Sequence, residues 1–356
     1  MNIPLKINKY PLNTIGETYF LNIRFLLIVC VVAGNLLEPL IQQSIAAHHL
    51  FVWIFSFHMP LFVLVTGYFA RLNLHGPAGS QMLRHIALQY VLFQSIYSVL
   101  DYTIFRVPHI THSFFAPYLL LWFLAGHIVW RLLLISLRMF TFKSQLIVSL
   151  ALGLSVGLLP VDGVWLALSR TLIYFPFFIV GHHLHVDKII SFFQHYRRSI
   201  AISSIAFMIL FFDLNLPLVI GWFYGNQTFV QLGVNSGTGM LYRLCMYMLQ
   251  CVASIGFLAL VPIGAHYITE LGRRTLYVFL LHGLLVRAIE TTGILHRFNT
   301  PLEIVILLVF AILIAVLLAQ PQVKHWTSRL VEPSIPQPLY SMIHYVQRHT
   351  LFQKQS

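Results

Sequence analysis

Two histidines and four arginines lie where the surrounding sequence is apolar. His58 sits in Phe57-His58-Met59-Pro60-Leu61-Phe62, and His282 follows Leu280-Leu281. A neutral imidazole can be a satisfied core group, yet it is also the commonest general base near neutral pH. Arg24, Arg170, Arg243 and Arg287 carry a charge that costs at least ~2.5–3.5 kcal/mol at a bilayer centre, so each must face a protein interior, a watery cavity or a nearby interface. Snorkelling is the competing reading for Arg24, Arg170 and Arg243, which lie near segment ends. Glu290, three residues after Arg287, can neutralise it on one helix face. The set offers a base together with cations of the type that grips phosphate.

Other candidate ligand groups read as structural. His182, His183 and His185 resemble a metal set, but their spacing divides the rings between helix faces and only Asp187 is near, so no metal is expected. Cys30, Cys245 and Cys251 fall in apolar blocks and read as small packing residues, their odd number arguing against a disulfide framework. Pro60 lacks the helical N–H, which predicts a kinked backbone beside His58, and Gly67 would let another helix or a ligand come close.

The elements that must position these groups are membrane spans. The 356 residues are 58% hydrophobic and only 9% charged, with a mean hydropathy of +0.80, whereas soluble domains carry roughly 25% charged residues. That composition excludes disorder, a nucleic-acid-binding module and a secreted disulfide scaffold. A spanning helix needs about 20 mostly apolar residues. Ten segments qualify: 20–38, 50–70, 84–104, 114–135, 145–160, 167–185, 199–212, 241–263, 275–293 and 302–319. The Gly- and Asn-rich stretch 213–240 reads as an extended loop dipping into the interface, with a broken eleventh span as the alternative.

Charge sets the orientation. Ten spans place sixteen of the 22 Lys and Arg residues on the side of both termini, counting Arg84 and Arg131 with the span ends they lie near, two on the other side and four inside spans. By the positive-inside rule both termini are cytoplasmic. The expected fold is therefore all-α, a polytopic transmembrane helical bundle in the cytoplasmic membrane. A segment 1–19 without a cleavable leader precedes the membrane domain 20–319. A tail 320–356, in part a candidate interfacial amphipathic helix, follows it.

Four blocks then resemble one family. Residues 57–69 (FHMPLFVLVTGYF), Trp122-Phe123-Leu124, Arg170 to Phe178 with Gly181, and Leu271 to Gly283 resemble, in order, signatures of the integral-membrane acyltransferase 3 family. The branch they resemble contains fucose 4-O-acetylase-like and other cell-surface polysaccharide O-acetyltransferases. The resemblance covers about Tyr19 to Ala319 and implies transfer of an acetyl group from acetyl-CoA to a hydroxyl of an envelope glycan or its lipid-linked precursor. It also implies a basic residue in the first span followed, eleven residues on, by a catalytic His. Here the basic residue is Arg24 and the later position is Asn35. Eleven residues at ~100° bring the two onto one face, about 16 Å apart along the axis.

An amide cannot hold a proton near neutral pH, so the resemblance leaves His58 as the base. Asn35 then serves as an oxyanion donor or orients the acceptor hydroxyl. Arg24, Arg71 and Arg274 are expected to meet the anionic end of acetyl-CoA, with Arg84, Arg138, Lys143 and Arg273 on the same rim. Arg170 and Arg243 suit the acceptor sugar or its lipid phosphate, and His282 is a binding or supporting group. The expected partners are the bilayer, acyl-CoA and an envelope glycan or lipid-linked sugar, with no nucleic acid. Two other readings share these features: a non-catalytic relative in envelope biosynthesis, and a transporter of a lipid-linked or acylated intermediate.

Overall fold

The computed structural model describes residues 15–107, 110–159, 163–213 and 220–333. Thirteen α-helices make up the described fold: α1 (Ile15–Leu37), α2 (Ile45–Ala70), α3 (Gly76–Leu100), α4 (Trp122–Ser136), α5 (Phe142–Ser155), α6 (Leu168–His183), α7 (Val186–Asp213), α8 (Gly221–Tyr224), α9 (Ser236–Leu260), α10 (Tyr267–Gly272), α11 (Thr275–Thr291), α12 (Pro301–Leu318) and α13 (Pro321–Val331). No strand occurs among the described residues. Among the described residues, five helical stretches are long and apolar enough to cross a membrane: Ile15–Leu40, Ile45–Ala70, Leu119–Ser136, Ser236–Leu260 and Pro301–Leu318. The chain is an all-helical membrane protein.

Burial sorts the helices into inner and outer members. α1 is the axis of the bundle, with Ile23, Leu27, Ile28, Val32, Leu36 and Leu37 fully enclosed by α2, α10, α11 and α12. α12 is the opposite case. It is the most apolar span, yet Leu302, Val305, Ile306, Val309 and Leu313 point outward, as expected of a helix whose solvent on one side is hydrocarbon. Between α2 and α6 the backbones nearly touch. A β-carbon at Gly67 would meet the Phe178 carbonyl at 2.1 Å, and one at Gly181 the Leu64 carbonyl at 1.9 Å. Small residues allow such contact, which is how membrane helices gain dispersion energy without a hydrophobic effect.

Polar side chains tie distant segments. Asn22 donates to the Pro262 and Gly264 carbonyls, both at 2.8 Å, and accepts from the Thr269 hydroxyl at 2.6 Å, fixing α1 to the α9–α10 connection. Arg197 donates to the carbonyls of Ala259 and Leu260 at 2.6 and 2.7 Å, which satisfies the C-terminus of α9.

Several boundaries differ from the sequence reading. α7 starts at Val186 rather than near 199, because its polar first half is an amphipathic continuation of the apolar run, with Arg197 usefully placed on it. Residues 113–118 are not helical and precede a short 3-10 turn, so α4 is shorter than expected. α2 runs unbroken through Pro60. The stretch 220–235 contains only the short α8 and is not a span. Trp222, Phe223, Phe229 and Leu232 bury themselves against α9. In the tail, residues 321–331 form α13 and the rest lies outside the described residues, as do residues 1–14. The cysteines are all free, and Cys245 and Cys251 are exposed on α9 rather than packed inside.

Candidate functional site

One end of the bundle encloses a cavity of about 530 Å³. Its side walls are the C-terminal half of α1 (Val31, Asn35) with Glu38 in the turn that follows, the middle of α2 (Phe55, His58, Met59, Phe62), the start of α6 (Arg170, Tyr174) and two positions of α11 (Phe279, Arg287). Connecting segments close over it, contributing Thr111, Tyr118, Leu119, Val164, Ala167, Tyr224 and Gln231. Thr111, Val164 and Gln231 are exposed, so the mouth opens between these loops. Leu119, Leu166 and Ala167 hold left-handed backbone at φ 35°, 53° and 46°, a conformation that costs an L-residue roughly 1–2 kcal/mol. Such strain is commonly stored around functional clefts.

His58 is only 3% exposed, and its ring meets Phe55 edge-on at 4.4 Å. Nδ1 lies 2.8 Å from the Ile54 carbonyl. A carbonyl can only accept, so Nδ1 must carry the proton and Nε2 is left as the basic nitrogen.

His282, fully buried, is built the same way, with Nδ1 donating to the Val278 carbonyl at 2.8 Å. Its Nε2 is therefore an acceptor, and it lies 3.4 Å from Asn35 Nδ2. That amide nitrogen also donates to the Val31 carbonyl at 2.9 Å. Both amide hydrogens of Asn35 are thus committed, which fixes the orientation of the side chain and leaves Oδ1 to face a ligand. Of the two roles expected for Asn35, oxyanion donor and guide for the acceptor hydroxyl, only the second suits this arrangement.

Glu38 follows Asn35 by one helical turn and is the single carboxylate on the cavity wall among the described residues. Tyr224 donates its hydroxyl to Glu38 Oε1 at 2.7 Å. Burial, reinforced by the Glu38 charge, pushes this phenol above its ordinary range, so it stays a donor. Arg170 packs its guanidinium against Trp122 at 5.4 Å and Tyr224 at 5.9 Å, and its Nε has no partner. Glu38 and Arg170 line the same cavity. Arg287 lines the same cavity while paired to Glu290.

The remaining sequence candidates lie elsewhere. Arg243 is 2% exposed and sits behind the wall, donating to the Trp222 carbonyl at 2.9 Å and stacking on its ring at 5.0 Å. It holds α8 in place. Arg24, Arg71 and Arg274 lie at the opposite end of the bundle. Arg24 donates to Thr275 Oγ1 at 2.9 Å and covers the Phe69 ring at 5.1 Å. Arg71 covers Tyr68 at 4.1 Å and donates to the Leu184 carbonyl at 3.1 Å, and Arg274 donates to the Ala319 carbonyl. The structure therefore gathers His58, Asn35 and Arg170 in one cavity, backs them with His282 and Arg243, and leaves three arginines at the far end. Among the described residues no group of three or more His, Cys, Asp or Glu could hold a metal ion.

Sequence reasoning missed Glu38 and Tyr224. Glu38 carries a readable signal, since it shares the face of Arg24 and Asn35 on a segment otherwise apolar at that end. Tyr224 carries none, because its place depends on how the 220–235 connection folds back. Comparisons of the chain with known protein families, curated proteins and solved structures return no match.

Proposed function

We propose that this chain is a membrane-embedded O-acyltransferase that moves an acetyl group from acetyl-CoA to a hydroxyl of a cell-envelope glycan or its lipid-linked precursor. The observation that carries this reading is the cavity in which an imidazole, with a free basic nitrogen, shares a wall with an acceptor-only amide and a guanidinium. His58 Nε2 takes the proton of the acceptor hydroxyl, and Asn35 Oδ1 orients that hydroxyl. As the oxygen bonds to the acyl carbon, Arg170 lies near the charge that develops on the carbonyl oxygen. The C–S bond then breaks, and the proton held by His58 can neutralise the departing thiolate.

The topology proposed with it has ten spans and both termini on the cytoplasmic side of the cell membrane. Helix pairing supports the alternation, because every connection that walls the cavity falls at one end and the basic turns fall at the other. On that orientation the cavity opens away from the cytoplasm. Arg24, Arg71 and Arg274 stand at the cytoplasmic end, where an anionic nucleotide would arrive.

The test is release of free thiol from acetyl-CoA by the purified chain with envelope glycan fractions as acceptor. Acceptor-dependent release is expected, falling about 10²–10⁴-fold in His58→Ala. Absence of release with every fraction would overturn the reading. One observation favours a second reading, a non-catalytic relative: position 35 holds no base, and its donors are already occupied. Activity appearing only in Asn35→His would decide for it.

A further inference from the structure

The hydrogen-bonding groups on the α1–α2 wall are unbalanced. Asn35 can only accept, because Val31 and His282 use both its amide hydrogens. His58 Nε2 can only accept, because Nδ1 carries the ring proton. Glu38 accepts through the oxygen that Tyr224 does not use. Three acceptors thus share one cavity wall; water can satisfy them in the open cavity, and a ligand that displaces that water must supply the donors itself. A ligand that satisfies them must present clustered O–H or N–H groups.

Charge selects between these. Arg170 lines the same cavity as Glu38 and already sets a cation there, so a ligand need not bring one. Neutral hydroxyls fit better than an ammonium group. Spacing narrows the class further. Asn35 and Glu38, at i and i+3, have β-carbons about 5–6 Å apart on one helix face, a gap that two neighbouring hydroxyls can bridge with one hydrogen bond to each side chain.

We propose that Glu38 binds the acceptor, and that with Asn35 it selects a ligand bearing two adjacent hydroxyl groups. One hydroxyl lies against Asn35 and His58, where it loses its proton; its neighbour is held by Glu38. Tyr224 is a positioning residue that fixes the carboxylate rotamer. The inference rests on the acyl-transfer reading for the fate of the first hydroxyl, but not for the binding.

Binding is therefore tested without an acyl donor. The purified full-length chain is titrated with methyl glycosides and with their single-deoxy analogues, following quenching of tryptophan fluorescence, with Trp122→Phe as the control for signal from the cavity wall. At least one parent glycoside is expected to bind. Removal of either adjacent hydroxyl, or Glu38→Gln, should weaken it roughly 10- to 100-fold, the range for a hydrogen bond to a charged group. Glu38→Gln keeps the size and an oxygen for Tyr224, so folding is preserved. Tyr224→Phe should weaken binding by less. If thiol release is found, these variants should raise the KM for the acceptor while leaving kcat within a few-fold.

Equal binding of parent and deoxy compounds, unchanged binding by Glu38→Gln, or no binding of any glycoside would overturn the inference. Thiol release that is indifferent to Glu38 would overturn it while leaving the transferase reading intact. Glycoside binding that depends on Glu38, without any thiol release, would sustain it and remove the transferase.

Discussion

The amide at position 35 shows how a side chain's donors can be allocated before any ligand arrives. One hydrogen goes to the Val31 carbonyl of its own helix and the other to His282 across the α1–α11 interface. Carboxylate oxygens in the same place would meet two acceptors instead of giving two hydrogens. Asn35→Asp is therefore expected to destabilise the fold by about 1–3 kcal/mol, the usual cost of leaving buried polar groups unsatisfied. A lowered unfolding midpoint in detergent would register it, and a midpoint equal to that of the parent chain would show that the allocation of hydrogens is wrong. The same accounting explains why His282 is enclosed completely yet matters to the cavity. It is not itself part of the lining, but it supplies the acceptor that turns Asn35 Oδ1 outward.

At the scale of elements, the close pass of α2 and α6 sets the positions of His58 and Arg170, which lie on those two helices and line one cavity. Gly181→Ala would place a methyl group inside contact distance of the Leu64 carbonyl, and backbone cannot swing aside as a side chain can. The helices must separate, at a cost of about 1–3 kcal/mol or more. The expected result is a lower thermal midpoint with a loosened cavity, and an unchanged midpoint would mean that the two backbones are not in contact. Apolar run length marks where these helices lie, since each of the ten apolar segments overlaps a helix. It does not mark where helices continue through polar sequence. The first half of α7 is invisible to hydropathy because Asp187, Lys188, Arg197 and Arg198 interrupt it, although helical periodicity persists. His58 and Arg170 are legible as charged or titratable groups in apolar surroundings. Glu38 is legible only from the face it shares with Asn35, and Tyr224 and the roof over the cavity arise from connections whose fold depends on contacts far away in sequence.

For the whole molecule, the two ends differ in chemistry, and that difference is the basis of the proposed orientation. The cavity end carries loops with few basic residues, while the other end carries Arg71, Arg138, Lys143, Arg273 and Arg274. An anionic inner leaflet and the translocation bias against Lys and Arg both favour the basic end inside. Val230 and Met139, each 85% exposed, sit in connections at opposite ends and can report this directly. In a background with Cys30, Cys245 and Cys251 replaced by serine, Val230→Cys should react with a membrane-impermeant maleimide on intact cells, and Met139→Cys only after permeabilisation. The reverse pattern would turn the cavity toward the cytoplasm and put the arginine-rich end outside, away from any cytosolic nucleotide. Acyl donor and acceptor would then have to share one mouth, and Arg24, about 16 Å along α1 from Asn35, would have no cytosolic anion to meet. The labelling result therefore bears on the proposed chemistry as well as the topology, because only the first orientation puts a cytosolic nucleotide and an extracytoplasmic acceptor at opposite ends of the bundle.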